Sequence, residues 1–210
     1  MTDFAGLIEG YYRFKSVGWQ LQRQRWNQLA EKQSPKLMVI ACSDSRVDPT
    51  IIFDTNPGEI FMVRNVANMV PPFETTPGRH GVSAALEFAV TQLEIPEIVV
   101  LGHQDCGGCG AALSQRFENK IPGEGGFIAN WMSLLDDARE RVVAEHGEGE
   151  EALHALEHEA VKVSIGNLRT FQCISSRERD GRIAIHGAYF AVATGLLHLL
   201  DESTGTFSPA

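Results

Sequence analysis

Short, continuous apolar runs recur along this chain, and helix-length segments separate them. Leu37 to Ala41, Ile60 to Val63 and Ile98 to Leu101 are apolar without alternation. A strand wetted on one face alternates; one buried on both faces does not. Arg182 to His186 reads as a fourth strand and Leu196 to Leu200 as a short fifth. Between them lie helical patterns: Val82 to Leu93, which stops before Pro96, then Gly107 to Phe117, Phe127 to His146 and Glu150 to Phe171. The turn Asn56-Pro57-Gly58 leads into the second strand, and Lys120 to Gly126 is a Gly/Pro loop. Such strands, joined by helices, specify a mostly parallel sheet covered on both faces. The expected fold is α/β: a single domain with about four parallel strands plus one short edge strand, flanked by helices. Before it, residues 7–31 carry apolar positions at helical spacing (Leu7, Tyr11, Phe14, then Trp19, Leu21, Trp26, Leu29). The expected division is an N-terminal helical arm over 1–32 and an α/β domain over 33–210.

Composition narrows the function classes. The chain has 210 residues, enough for a sizeable core, and a formal charge of −9. A general nucleic-acid binder needs a phosphate-neutralising basic surface, so that class is excluded. The locally basic first forty residues read as a solvated helix face. No apolar run approaches the ~18 residues of a membrane span. Met1-Thr2-Asp3-Phe4 lacks the basic-then-apolar pattern of a secretory signal. Four cysteines in a chain this long do not make a disulfide scaffold. A cytoplasmic, reducing location is the expectation.

The chemistry sits just after two of the apolar runs. In such sheets it collects at the carboxyl ends of the strands. Cys42-Ser43-Asp44-Ser45-Arg46 follows the first run, and His103-Gln104-Asp105-Cys106 follows the third. Cys42, His103 and Cys106 together form an N/S donor set suited to zinc. Three protein ligands leave a fourth tetrahedral position open, as a catalytic zinc requires. A bidentate guanidinium–carboxylate pair of Arg46 and Asp44 would hold the carboxylate ionised and oriented beside that position. Taken singly, each residue has a plainer account: a buried cysteine, a satisfied histidine, a loop salt bridge.

Cys109 leaves alternatives open. Cys106-Gly107-Gly108-Cys109 is a C-x-x-C at a helix start, which suits a thioredoxin-like redox pair or a closed structural Cys3His zinc centre. A redox pair leaves Cys42, Asp44, Arg46 and His103 unexplained. A closed centre has no use for the Asp–Arg pair. Cys173 has no evident role.

Several runs, in order, resemble the β-class carbonic anhydrases: Gln33-Ser34-Pro35-Lys36, Ala41 to Val47, Pro57-Gly58-Glu59 and Arg64-Asn65-Val66-Ala67-Asn68. His80 to Phe88, Gly102 to Gly108 and His186-Gly187-Ala188-Tyr189-Phe190 continue the match, which covers roughly residues 30–200. The resemblance implies one Zn2+ per chain on Cys42, His103 and Cys106, and a catalytic dyad of Asp44 and Arg46. It implies a substrate pocket of Gln33, Phe61, Val66 and Phe88, with the Gly107 backbone N–H nearby. The reaction implied is reversible hydration of carbon dioxide to bicarbonate, by attack of a zinc-bound hydroxide that Asp44 orients. Gln33, with Val39 where the other subtype carries Trp, places the chain with the plant-type, open-site subtype. Phe88 (often Tyr) and Gln92 (often His) depart from the plant pattern and bear on the proton-exit route, for which His80 is one candidate acceptor. The family also implies a homodimer or dimer of dimers in which the N-terminal arm reaches across the partner. Hydrolysis of carbonyl sulfide or carbon disulfide on the same zinc set is the alternative within the family, and a nonenzymatic zinc-stabilised interaction domain is the alternative outside it.

Overall fold

Six strands form one sheet in the order β2-β1-β3-β4-β5-β6 in the computed structural model, which describes residues 3–210. The strands are β1 (Leu37–Cys42), β2 (Ile60–Asn65), β3 (Glu97–His103), β4 (Ala184–Ala191), β5 (Leu196–Asp201) and β6 (Thr206–Pro209). The first four are mutually parallel, and β5 and β6 add antiparallel at one edge. The fold is the expected single-domain, mostly parallel α/β architecture. Two details differ. The edge carries two antiparallel strands, not one. The fourth strand also runs later than Arg182 to His186, because Gly187 lets a neighbouring strand and helix close on it. A Cβ at Gly187 would lie 2.8 Å from Leu200 and 3.1 Å from Ile165.

The helices are α1 (Phe4–Arg13), α2 (Trp19–Leu21), α3 (Arg23–Glu31), α4 (Pro49–Ile52), α5 (Gly81–Thr91) and α6 (Gly107–Leu113). After these come α7 (Gly126–Met132), α8 (Asp136–His146), α9 (Glu150–Leu168) and α10 (Gln172–Arg179). A π-turn over Phe14–Gly18 joins α1 to α2. The expected helix from Phe127 to His146 is broken by a 3-10 turn over Ser133–Leu135. Gln172 to Arg179, too polar to show an apolar stripe, is helical and buries Ile174. Met1 and Thr2 of the expected arm lie outside the described residues.

Side-chain alternation assigns the two faces of the sheet. Met38, Ile40, Ile98, Val100 and Ile185 pack with Leu86 and Val90 of α5, with Val161, Ile165 and Leu168 of α9 and with Ile174 of α10. Val39, Ala41, Leu101 and Ala188 point the other way, where among the described residues only Ile52 of α4 and Phe53 join residues of the sheet itself. This second face is thinly covered within one chain. The arm is equally open: Phe4, Leu7, Tyr12 and Leu21 are exposed, the last at 81%. Arg25 anchors α3, donating to the Pro57 carbonyl at 2.7 Å and to Glu59 at 3.0 Å.

Candidate functional site

Parallel register brings the two motifs together. β1 and β3 are adjacent, with Ala41 opposite Leu101, so Cys42 and His103 leave the sheet at the same end. After His103, Asp105 adopts φ +55 and turns the chain so that Cys106 becomes the N-cap of α6. Gly102 is required here: a Cβ would meet Val161 of α9 at 2.6 Å. Gly108 likewise admits Val66 and Ala67, which a Cβ would crowd at 2.7 and 2.9 Å.

The donor atoms of Cys42, His103 and Cys106 lie within 4.8 Å of one another, and all three residues are buried. The two sulfurs are 3.9 Å apart. Two thiolates on one tetrahedral zinc stand about 3.8 Å apart, given Zn–S bonds of about 2.3 Å. His103 Nδ1 donates to the Gln104 carbonyl at 2.9 Å, which leaves Nε2 as the free acceptor. Nε2 is buried without a hydrogen-bond partner. A buried imidazole nitrogen without a partner, facing two sulfurs at ligand spacing, fits a metal ion. The Cys106 contact, then burial, pushes the Cys42 thiol up to about 12. Contact with Cys109 does the same for Cys106. A shared cation would stabilise the thiolates that this crowding otherwise disfavours. Cys109 is buried but stays outside the three-residue group, packed in the core with Ala112 and Leu156.

Asp44 and Arg46 stand at the rim. Arg46 Nε donates to Asp44 Oδ1 at 3.0 Å and Nη2 to Oδ2 at 2.8 Å. The Arg46 backbone N–H adds a third bond to Oδ1 at 2.9 Å. Nη2 also reaches the Asp105 carbonyl at 2.8 Å, tying the two motifs together. Asp44 Oδ2 lies 4.0 Å from His103 Nε2. The guanidinium holds the Asp44 carboxyl well below the usual carboxylate range.

Three supporting residues were not singled out from sequence as site residues. Arg64 donates to the carbonyls of Cys42, Asp44 and Val47 at 2.9, 2.7 and 2.7 Å, holding the first motif's loop. Glu157 of α9 accepts from the Cys106 backbone N–H and from Tyr189 Oη, both at 2.7 Å. Burial pushes the Glu157 carboxyl up, against the pull of those two bonds. The signal for Glu157 was a carboxylate inside the apolar stripe of α9, between Leu156 and Ala160.

The remaining expected pocket residues divide. Val66 and Gly107 adjoin the cluster: Val66 faces Gly108, and Gly107 follows Cys106. Phe61 and Phe88 pair with ring centroids 6.1 Å apart, but Phe61 sits opposite Met38, near the other end of β1. Gln33 is exposed and precedes β1, so all six residues of that strand separate it from the sheet end bearing Cys42.

A mostly parallel sheet presents two cysteines and a histidine at one end, with an arginine-gripped aspartate beside them, and these three donors could hold one metal ion. The family model for carbonic anhydrase matches residues 37–197. A carbonic anhydrase of Pseudomonas aeruginosa is 37% identical over 202 residues, covering 96% of this chain and 89% of that protein. The β-carbonic anhydrase CcaA has a solved structure with TM-score 0.89 and 31% identity, covering 97% of this chain and 90% of that one. A tetrameric β-carbonic anhydrase of Sordaria macrospora has TM-score 0.79 and 25% identity, covering 98% of each chain. This chain belongs to the β-class carbonic anhydrase family.

Proposed function

We propose that the chain catalyses the zinc-dependent, reversible hydration of carbon dioxide to bicarbonate and a proton. The observation that carries this is the Asp44 carboxylate, gripped by Arg46, with Oδ2 4.0 Å from the His103 Nε2 donor. Cys42, His103 and Cys106 would hold the zinc, which as a Lewis acid makes a nucleophile available from water near neutral pH. Asp44, ionised and fixed, accepts a hydrogen bond from the attacking water and aims its lone pair at the substrate. Arg46 occupies both carboxylate oxygens, so Asp44 is kept from turning onto the metal. That arrangement favours the open-site subtype. The Gly107 N–H and the Val66 side chain border the reacting position.

A second copy of the chain completes the pocket in this reading. β1 is six residues long, about 20 Å at 3.3 Å per residue, so Gln33 does not reach its own metal site. Gln33, Phe61 and the 44%-exposed Phe88 are free to line the site of a partner. The open aromatic arm and the thinly covered sheet face supply the apolar surface for that pairing. A tetrameric relative of the same fold supports a dimer or dimer of dimers. Among the described residues no helix is long and apolar enough to cross a membrane.

The test is zinc content together with carbon dioxide hydration rate, with carbonyl sulfide and carbon disulfide assayed in parallel. One zinc per chain with hydration activity is expected. A fully zinc-loaded protein inactive at pH 8.5 would overturn the proposal, and a preference for either sulfur compound would move the substrate assignment.

A further inference from the structure

Cys109, the second cysteine of the C-x-x-C that begins at Cys106, has no part in the hydration chemistry proposed above. Its placement is specific nonetheless. Cys106 is the N-cap of α6, with extended backbone (φ −68, ψ 116), and Cys109 is the third residue of the helix. The Gly110 N–H closes the first turn on the Cys106 carbonyl at 2.9 Å. An N-cap side chain naturally reaches the third helical residue. Helical geometry puts residues three apart at about 5 Å between Cα atoms, inside the range a disulfide spans. Cys109 is 1% exposed and packs behind the site. On the open side, Gly107 is exposed, and a Cβ there would meet nothing within 4 Å. Cys106 is itself 2% exposed and adjoins the exposed Gly107, so an oxidant would have to approach it from that side.

We infer that Cys106 and Cys109 are a reversible oxidation site, at which peroxide converts the zinc-binding form into a disulfide form that releases the metal. The inference rests on Cys106 being a zinc ligand. The Cys106 thiolate attacks one peroxide oxygen, the O–O bond breaks, and hydroxide leaves, giving a sulfenic acid. The Cys109 sulfur then attacks the Cys106 sulfur, the S–O bond breaks, and the Cys109 proton leaves with that oxygen as water. Two electrons pass from the sulfurs to peroxide. Only Cys42 and His103 then remain as donors, too few for a stable zinc site. A thiol reductant reverses the bond and restores the third donor.

Cys42 is the competing partner, since its sulfur is 3.9 Å from that of Cys106. The Cys42 sulfur lies at the end of β1 and accepts the Ala67 N–H at 3.4 Å. Trypsin separates the two outcomes, because Cys106 and Cys109 share the peptide His80–Arg116 while Cys42 lies on Leu37–Arg46. The holoenzyme is treated with hydrogen peroxide after its zinc content has been measured. Zinc release, peptide masses and recovery with dithiothreitol plus zinc are then followed. The expected result is a His80–Arg116 peptide lighter by two hydrogens, zinc lost in proportion, and both reversed by reductant. Cys109→Ala should bind zinc normally, but its peroxide-treated form should not recover, because Cys106 continues to the sulfinic acid. A crosslink between the two peptides as the main product, or zinc loss with Cys109 still a free thiol, overturns the inference. Protein without zinc before treatment overturns the metal assignment and with it the release step, while the peptide mass still decides the pairing.

Discussion

Arg46 grips Asp44 through both carboxylate oxygens, at 3.0 and 2.8 Å, and through its own backbone N–H at 2.9 Å. The same guanidinium donates to the Asp105 carbonyl beside Cys106. Arg46 therefore orients the carboxylate and clamps the two motifs to each other. Asp44→Asn and Arg46→Ala should each retain zinc and lower turnover by about 100-fold, the usual cost of one positioned acid–base or electrostatic group. Stopped-flow hydration at saturating buffer, paired with metal analysis, is the measurement. Near-wild-type rates in both variants would remove the pair from the mechanism.

Zinc should depend on the three clustered donors and not on the fourth cysteine in their neighbourhood. Cys42→Ala should lose the metal, and Cys109→Ala should keep about one equivalent, because Cys109 lies outside the group of three donors. Metal analysis of the two purified variants decides it. Equal loss in both would favour a closed four-ligand centre.

Acid should destabilise the fold through His158. The ring lies between Tyr189 and Phe207, each centroid 4.4 Å away. Burial first, then Lys162 and the nearby His154 and His198, pushes its pKa down to about 4. An unfolded histidine titrates near 6.5, so between about pH 6.5 and 4 the unfolded chain binds the extra proton. Stability from this site is full above that window and falls as pH drops through it. Thermal melts at pH 7 and pH 5 should show a smaller decrease in Tm for His158→Phe than for the wild type. Equal decreases would take His158 out of the acid response.

Assembly should follow the arm. Phe4, Leu7, Tyr12 and Leu21 are exposed on one chain, and aromatic side chains contribute strongly to interface cores. Sedimentation should show a dimer or tetramer. Removing residues 3–21 should yield smaller species with reduced activity, because the pocket residues at Gln33, Phe61 and Phe88 would no longer meet a partner's metal site. A fully active monomer would defeat both the assembly and the shared pocket.

Much of this molecule was legible along the chain. Unbroken apolar runs marked β1, β2 and β3, since strands buried on both faces need not alternate. Two strand ends carrying Cys-x-Asp-x-Arg and His-x-x-Cys pointed to the three clustered side chains and the gripped carboxylate, since such candidates are read from residue type and short spacing. Helix α10 and strand β6 were not legible. Gln172 to Arg179 buries one apolar side chain, and Thr206 to Pro209 is a short polar edge whose proline a central strand would not accept. The tertiary structure alone decided distances between segments far apart in sequence. It set β1 beside β3, so that Cys42 and Cys106, 64 residues apart, meet at 3.9 Å. It placed Glu157 under Cys106, and it put Gln33 at the opposite end of β1 from the metal site. Local chemistry is written in neighbouring residues, whereas strand order, register and the end of the sheet a residue occupies come from packing the whole chain around one core.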